Sequence, residues 1–397
     1  MNTSTKIIII GGGIAGPALA LFLKRIGITA QIFEANPSPS ISGAGLNIAP
    51  NGVRVLRELG LEQAVMRRGS IASSGIFKNA KGAKLAQMTF TNLAKYDAPA
   101  VSIKRQTIYE ILFEALQQEQ IPIHFNKRLS GLDQQHHTIT AHFEDGQSVT
   151  GDLVVGADGV NSQVRALVVA PENRPAFTGV IGVGGIVAKN KLPMLTQNES
   201  QNLQFIYGQQ GFFGYGGVNE RELMWWTNVL TDQPIPPETL RQVDQTAERT
   251  TLLHQYGQYN SPIPDIIRQA ENFTRVNVFD IISLPHWSKG RALLIGDAAH
   301  AVSPNSGQGT SMALEDAMLL AKLIRREAHL DAVFTRFEAA RKPRVERIVE
   351  EGRKKGEDKL IVGGLEQFIR EMMIRIFVNL FADKGNDWLY SYKLDWD

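Results

Sequence analysis

The stretch Lys6-Ile7-Ile8-Ile9-Ile10-Gly11-Gly12-Gly13-Ile14-Ala15-Gly16 decides the fold of this chain. Four consecutive isoleucines are typical of a strand that is buried on both faces, as in a parallel sheet. The glycines follow at the spacing of a dinucleotide-binding turn. Gly11 permits the tight turn, Gly13 lets the backbone approach a pyrophosphate, and Gly16 lets helix and strand pack closely. The run from 17 to 26 predicts the helix whose positive N-terminus faces that pyrophosphate.

A second strand is predicted at 30–33, and it ends at Glu34. An acid in this position can accept hydrogen bonds from ribose hydroxyls. The strand, glycine turn, helix and acid together predict a site for an adenine dinucleotide, with Ile14, Ala15 and Ala35 as further contacts. At this point FAD and NAD fit the pattern equally well.

Composition limits the classes of protein that remain. The chain has 397 residues, which favours two domains over one. A net charge of +2 gives no reason to expect nucleic acid or an anionic membrane as a partner. The absence of cysteine excludes disulfides, thiolate metal sites and cysteine nucleophiles. The short apolar run before the glycines does not predict a signal peptide, and no uncharged run predicts a membrane span. We therefore expect a cytoplasmic protein without a metal site.

A second motif follows an apolar strand that runs from 152 into Gly156. The turn carries Asp158-Gly159, and a helix is predicted to open near Ser162. Asp158 could bind backbone or ribityl groups of a cofactor, or bridge to Arg165. It could equally be a cap of the strand-to-helix turn.

A third motif follows the buried strand that ends at Gly296-Asp297. The loop after it contains Pro304 and the run Gly307-Gln308-Gly309, and a helix is predicted from Thr310 to about 327. A glycine-rich loop at a helix N-terminus presents backbone N–H groups to an anionic ligand.

Between 173 and 282 helical periodicity gives way to alternating, aromatic-rich segments. Alternation predicts an antiparallel sheet inserted into the α/β domain. The functional interpretation is one wall of an apolar substrate pocket, and the alternative is that each aromatic side chain only fills the core of the sheet. The candidates for the pocket are Phe205, Tyr207, Phe213, Tyr215, Trp226 and, from the third motif, Pro304.

The C-terminal stretch from 360 to 388 has apolar residues at helical spacing, interrupted by charges of both signs. Such a pattern predicts an amphipathic helix. Packing onto the body of the protein or onto a partner subunit is favoured over a membrane surface, because the basic bias expected at a membrane is missing.

The three motifs, in this order, resemble those of the group A FAD-dependent aromatic hydroxylases, the flavoprotein monooxygenases typified by 4-hydroxybenzoate hydroxylase. The glycine turn resembles the ADP-binding turn, and Asp158-Gly159 resembles the motif associated with FAD and NAD(P)H. Gly296-Asp297 with the loop from Pro304 to Gly309 resembles the motif that contacts the ribityl chain and the isoalloxazine edge. Arg105 resembles the family arginine that reaches FAD, and Gly43 and Gly45 would suit a mobile flavin.

The resemblance implies an α/β fold: a Rossmann-type FAD-binding domain, an inserted, mainly antiparallel β-sheet substrate domain and a C-terminal helical segment. The expected boundaries are 1–72, 101–172 and 284–345 for the FAD-binding domain, 73–100 and 173–283 for the substrate domain, and 346–397 for the helical region.

The resemblance also implies an activity. FAD is reduced by NADPH or NADH, O2 adds to give a flavin C4a-hydroperoxide, and one oxygen atom passes to a planar aromatic or polyketide-like small molecule. Backbone N–H groups of 307–310 would stabilise negative charge on the flavin, and Pro304 would lie above the ring. Candidates for a catalytic base are Tyr207, Tyr215 and His300, although His300 is expected to be structural.

Several alternatives stay open. They are a ubiquinone-pathway hydroxylase, a tetracycline-inactivating monooxygenase and a non-enzymatic, flavin-bound redox protein. The oligomeric state, monomer or homodimer, is open as well.

Overall fold

The computed structural model describes residues 5–38, 44–357 and 363–397, so Gly43 lies outside the described residues. The strands are β1 Lys6–Ile10, β2 Thr29–Phe33, β3 Gly45–Ile48, β4 Ser70–Ile71, β5 Ser74–Asn79, β6 Lys84–Thr89, β7 Val101–Lys104, β8 Ile123–His124, β9 Leu129–Gln134, β10 Ile139–Phe143, β11 Ser148–Gly151, β12 Leu153–Gly156, β13 Ala176–Ala188, β14 Leu203–Gly208, β15 Gly211–Gly217, β16 Glu222–Leu230, β17 Thr274–Asp280, β18 Ser288–Lys289 and β19 Ala292–Leu294.

The α-helices are α1 Ala15–Arg25, α2 Pro50–Glu58, α3 Glu62–Arg68, α4 Leu93–Tyr96, α5 Arg105–Gln118, α6 Gln197–Gln201, α7 Pro237–Arg241, α8 Gln245–Tyr256, α9 Ile263–Gln269, α10 Asp297–His300, α11 Gly309–Arg326, α12 Leu330–Glu357, α13 Gly364–Met373 and α14 Asn379–Tyr390. Short π-helical segments occupy Arg165–Val169 and Ile374–Val378. No helix in the described ranges is long and apolar enough to cross a membrane.

The first large sheet has six strands in the order β18-β19-β12-β1-β2-β8. All neighbours are parallel except β18, which runs antiparallel to β19. Ile7 to Ile10 of β1 are at most 4% exposed, as expected for a central strand covered on both faces. Helices α1 and α11 pack on this sheet, and their apolar faces share its hydrophobic cluster.

The second large sheet has seven strands in the order β17-β13-β16-β15-β14-β5-β6. Its neighbours are antiparallel except for the parallel pair β14 and β5. Its strands lie in 74–89 and 176–280, interrupting the strands of the first sheet along the chain. The predicted α/β fold with an inserted, mainly antiparallel sheet and C-terminal helices is therefore confirmed.

Between β16 and β17 the chain forms the separate helices α7 and α8. Asp244 begins α8 by accepting the N–H groups of Thr246 and Ala247, both at 3.0 Å. The C-terminal helices were expected to pack onto the body or onto a partner subunit. The end of α14 does pack onto the body, where Leu389 and Tyr390 are buried in the core, whereas α13 meets the body with polar side chains and exposes its apolar residues.

Candidate functional site

The three predicted motifs meet at one edge of the first sheet. Ile10 of β1 pairs with Phe33 of β2 and with Gly156 of β12, and Gly156 pairs in turn with Leu294 of β19. Because these strands are parallel, the segments that follow them all lie at the carboxyl edge of the sheet. Ligands of open α/β sheets bind at this edge.

The glycine turn is crowded at two of its glycines and open at the third. Gly11 has φ +109°, and a Cβ there would lie 2.3 Å from the carbonyl oxygen of Ala157. A Cβ at Gly16 would lie 2.1 Å from the carbonyl oxygen of Gly11. A Cβ at Gly13 would meet no atom of the described chain within 4 Å. Gly11 and Gly16 are therefore needed for the fold, and Gly13 leaves a space beside the backbone.

Glu34 lies at the end of β2 and contacts the turn. One carboxylate oxygen accepts the N–H of Gly12 at 2.7 Å, and the other accepts the N–H of Asn36 at 2.8 Å. Burial and, to a lesser extent, the charge of Glu34 raise the pKa of Tyr109 to about 12. Each oxygen of Glu34 keeps a further lone pair for a ligand hydroxyl. Of the other predicted contacts, Ile14 and Ala35 are half-buried and Ala15 is buried.

Asp158 is occupied by the turn that contains it. Its carboxylate accepts the hydroxyl of Ser162 at 2.6 Å and the N–H groups of Gln163 and Val164 at 2.7 and 3.2 Å. These are the bonds of a capping residue. The contacts of Asp158 are therefore those of a cap of the strand-to-helix turn.

Arg165 joins the second motif to the third. Its guanidinium donates to the carbonyl oxygen of Ala298 at 2.7 Å and to that of Val160 at 2.5 Å. It does not bridge to Asp158 through a hydrogen bond, which was one of the predicted alternatives. Asp297, beside Ala298, is half-buried, and its carboxylate has no hydrogen-bond partner in the described part of the chain.

The loop of the third motif presents its backbone to solvent. Pro304 and Gly307 are exposed, while Gly309 and Thr310 at the start of α11 are half-buried. Gly307 has φ +62°, and among the described residues no atom would lie within 4 Å of a Cβ there. The N–H groups in the first turn of α11 have no partner inside the helix and face the loop side.

Behind this loop, a network of buried charges fixes α11. Arg341 donates to Glu315 and Asp316, both at 2.6 Å, and all three side chains are at most 1% exposed. Burial raises the pKa of Asp316, but the charges and hydrogen bonds of His300 and Arg341 outweigh it and lower the pKa to about 2. Both carboxylates are therefore ionised and neutralised from inside the protein.

The same network extends to the loop through an amide. Asn51 donates to Glu315 at 2.7 Å and to the side-chain oxygen of Gln308 at 3.1 Å. Gln308 is only 1% exposed, so its side chain points away from the surface that Gly307 and Gly309 present. Asn51 and Arg341 were not predicted as part of the site, because their partners are at least 25 residues away along the chain.

His300 belongs to this buried network. Its Nε2 lies 2.5 Å from a carboxylate oxygen of Asp316, and its ring packs against Trp287. The side chain is 3% exposed. These contacts support the structural role that was expected for His300 and not the role of a base.

One face of the second sheet forms an aromatic wall, defined here as Phe77, Phe205, Tyr207, Phe212 and Trp226. The ring centroid of Phe205 lies 5.2 Å from that of Phe77 and 6.1 Å from that of Trp226, and those of Tyr207 and Phe212 are 5.3 Å apart. Phe77, Phe205 and Trp226 are only half-buried. The wall shares its face with Met224, which packs beside Gly45 of β3.

Phe213 and Tyr215 do not belong to this wall, and the prediction that they line the pocket is corrected by their placement. Register pairs Tyr207 with Phe212 and Ile206 with Phe213, so Phe213 and Tyr215 point to the opposite face. There Phe213 stacks on Trp225 at 5.5 Å within the second hydrophobic cluster. These two side chains fill the core of the sheet, which was the alternative interpretation.

Tyr215 is also unsuited to be a base. Its hydroxyl donates to Glu199 at 3.0 Å, and Glu199 is paired with Lys78 at 2.8 Å. Burial and the adjacent Glu199 charge raise the pKa of Tyr215 well above its usual value. Of the three candidate bases, only Tyr207 lies on the face of the aromatic wall. Phe77 and Phe212 were not among the predicted pocket residues, because only the strand register assigns them to this face.

Two further predicted residues flank the site. Arg105 is the first residue of α5; its side chain is exposed and has no partner in the described part of the chain. Gly45 lies in β3, where a Cβ would be 2.6 Å from the sulfur of Met224 and 3.1 Å from Val218. Close packing of β3 against the seven-stranded sheet therefore explains the glycine at 45.

The residues at this edge fit FAD. The open positions at Gly13 and Gly307 are places where a backbone can approach a ligand closely, and they follow different strands of the same sheet edge. Arg105 and Asp297 provide a cation and an anion whose side chains have no partner among the described residues. Two helix N-termini, those of α1 and α11, add positive potential.

Comparison with known proteins identifies the family of the chain. The model of a family described as "FAD binding domain" matches residues 4–352. The chain is 30% identical to the 3-amino-4-hydroxybenzoate 2-monooxygenase PtmB3 of Streptomyces platensis, over 99% of this chain and 97% of that protein. It is 29% identical to the aurachin C monooxygenase/isomerase of Stigmatella aurantiaca, over 95% of each chain.

The fold resembles a solved structure of Klebsiella pneumoniae HpxO complexed with FAD and uric acid, with a TM-score of 0.82 and 22% identity over 96% of this chain and 97% of that one. That likeness concerns the fold alone. The match of the family model along most of the chain, together with relatives of this identity over their whole length, shows that the chain belongs to the FAD-dependent aromatic monooxygenases.

Proposed function

We propose that this enzyme uses NADH or NADPH and O2 to hydroxylate a planar aromatic or polyketide-like small molecule. The observation that carries the proposal is the aromatic wall, whose rings Phe77, Phe205 and Trp226 are partly exposed on the sheet face that also packs on β3. Rings of this kind bind a flat apolar ligand by stacking and edge-to-face contacts. The PtmB3 relative is named for an aromatic substrate, which supports this class.

We assign the cofactor end of the site to the carboxyl edge of the first sheet. Gly13 and the N-terminus of α1 would hold the pyrophosphate, Glu34 the ribose, and Arg105 an anionic group of FAD. When bound, FAD supplies the redox chemistry between the nicotinamide, O2 and the substrate.

The loop from Pro304 to Thr310 would stabilise charge on the cofactor. Its N–H groups, aided by the N-terminus of α11, would stabilise negative charge on the flavin ring. The buried pairs of Arg341 with Glu315 and Asp316 hold α11 in place and keep its orientation fixed. A fixed dipole costs no reorganisation during the reaction.

The aromatic wall would orient the substrate and exclude water from the site. Its rings can hold the plane of the substrate, and their apolar surface leaves little room for ordered water. Tyr207 is the one candidate base on this face, and we retain it in the proposal. The cytoplasmic location and the domain boundaries predicted above remain part of the proposal too.

The test is a substrate screen with the FAD-loaded protein. Phenols, hydroxypyridines and aminohydroxybenzoates are added with NADH or NADPH under air, and nicotinamide oxidation and product mass are followed with ¹⁸O₂. We expect at least one compound to accelerate oxidation and to gain one ¹⁸O atom. Oxidation that no compound accelerates, or that yields only hydrogen peroxide, would contradict the proposal.

A wall variant links the activity to the structure. Trp226→Ala removes a half-buried ring from the wall, and we expect KM for the accepted substrate to rise by about 5- to 30-fold, since loss of an aromatic contact costs about 1–2 kcal/mol. An unchanged KM would remove the wall from the substrate site while leaving the activity itself in place.

A further inference from the structure

The C-terminal helical segment exposes a continuous apolar stripe. The stripe consists of eight residues at the spacing i, i+3, i+4, i+7 along α13, the following π-helical segment and α14: Leu365, Phe368, Ile369, Met372, Met373, Ile376, Phe377 and Leu380. Leu365 is 75% exposed and Phe368 is 66% exposed. A helix normally turns such a face toward a core.

The polar side of the same segment is the side that meets the protein. Gln367 donates to the carbonyl oxygen of Tyr207 at 3.1 Å, and Arg370 donates to that of Gly208 at 2.7 Å. Farther along, Asn386 lies 2.8 Å from the sulfur of Met88 on β6. At α13 the orientation is therefore the reverse of an ordinary surface helix, because hydrogen bonds fix the helix to the body and its apolar side faces outward, whereas the end of α14 buries Leu389 and Tyr390.

The exposed area is large. At roughly 200 Å² for each such side chain when fully exposed, the exposed fractions of the eight residues amount to about 900 Å². The largest apolar patch on an ordinary monomer is about 300–600 Å². A stable dimer needs about 800 Å² from each partner, so this stripe alone has the required size.

The charges beside the stripe favour protein over lipid as its partner. Glu366 and Arg375 are exposed next to it, one of each sign. Helices that lie on a membrane carry a lysine- and arginine-rich polar face, and here the polar face is bonded to the chain's own second sheet. An interface with mixed charges at its rim and an apolar centre is typical of protein–protein contacts.

We propose that the stripe is a dimer interface with a second copy of this chain. The two stripes meet across a two-fold axis, so that the same residues of both copies form the contact. Because α13 is bonded to β14, which carries Phe205 and Tyr207 of the aromatic wall, the interface also supports the outer end of that wall.

The mass of the FAD-loaded protein in solution tests this directly. Sedimentation velocity at micromolar concentration should give twice the chain mass of 43.9 kDa. Phe368→Asp should raise the dissociation constant of the dimer at least 100-fold, because a buried charge without a partner is strongly unfavourable. Met194→Asp, at an exposed methionine of another surface, should leave the dimer intact. An unchanged flavin spectrum and Tm show that each variant is folded.

A cross-link gives an independent readout. The chain has no cysteine, so Met372→Cys introduces a single thiol near the middle of the stripe. A two-fold axis through the middle of the stripe brings this thiol near its copy, and mild oxidation should give a covalent dimer, whereas Met194→Cys should not. A wild-type monomer throughout the concentration range would overturn the proposal. So would a Phe368→Asp variant that stays dimeric, or a monomer that co-sediments with phosphatidylcholine vesicles through the stripe.

Discussion

Replacing Gly13 by alanine separates cofactor binding from folding. A methyl group at this position would meet no atom of the described chain within 4 Å, and the residue has no positive φ that alanine would resist. The free energy of unfolding of the FAD-free protein should therefore change by no more than about 0.5 kcal/mol. In the FAD-loaded protein the same methyl group would occupy the space that we assign to the pyrophosphate.

The magnitude follows from the contacts that the methyl group would prevent. Holding the pyrophosphate away from the turn removes at least one hydrogen bond from a backbone N–H to a charged oxygen, which contributes about 1.5–3 kcal/mol. The dissociation constant for FAD should rise by about 10- to 150-fold. The variant should lose affinity for FAD and no folding stability, because the new methyl group contacts no described atom of the protein.

The assay is a fluorescence titration of the FAD-free protein with FAD, combined with urea unfolding of the same sample. Two glycines serve as controls. Gly16→Ala should lower stability, because its Cβ would lie 2.1 Å from the carbonyl oxygen of Gly11. Gly385→Ala should lower neither the FAD affinity nor the free energy of unfolding, since no described atom lies within 4 Å of the new Cβ. An FAD affinity within twofold of wild type for Gly13→Ala would refute the placement of the pyrophosphate.

Three further predictions concern the buried groups. Arg341→Met should lower the free energy of unfolding by about 3–5 kcal/mol in urea titrations, because Glu315 and Asp316 stay buried without the cation they share, and Arg344 remains only beside Glu315. A loss below about 1 kcal/mol would show that the network relaxes. The pKa of Asp316 is lowered from 3.8 to about 2, so its stabilisation is present above about pH 4 and disappears as the pH falls through 2. Unfolding measured from pH 5 to pH 2 should therefore lose about 2 kcal/mol through this group, and Asp316→Asn should show a shallower slope. Tyr215→Phe should cost about 1 kcal/mol of stability through the lost bond to Glu199 and leave kcat unchanged; a tenfold fall in kcat would return Tyr215 to the candidate bases.

The cofactor end of the site was largely predictable from local sequence. Gly11, Gly16 and Glu34 follow buried strands directly, so each needs only its own strand and turn to reach the sheet edge. Capping by Asp158 was also accessible, because its partners Ser162 and Gln163 are four and five residues away. Whether these residues contact FAD as proposed stays a prediction that the Gly13→Ala titration begins to test.

The substrate end was less predictable, because neighbouring residues of a strand point to opposite faces. Phe212 and Phe213 are adjacent, and only the pairing of β14 with β15 decides which of them joins the aromatic wall. Sequence alternation identifies two faces of the inserted sheet, but it does not specify which face packs on β3. A shift of register by one residue would exchange them.

The sequence by itself determined the strand, glycine turn and helix at its start, the order of the three motifs, and the alternation that marks the inserted sheet. These features depend on local backbone geometry and on periodicity, which are written in neighbouring residues. Only the tertiary structure decided that Arg341 neutralises Glu315 and Asp316, and that His300 is held inside that network. It also decided that α13 and the π-helical segment after it turn an apolar stripe outward, while Leu389 and Tyr390 at the end of α14 are buried in the core. Contacts of this kind depend on where distant segments meet, and an amphipathic pattern specifies two faces of a helix without specifying what covers either one.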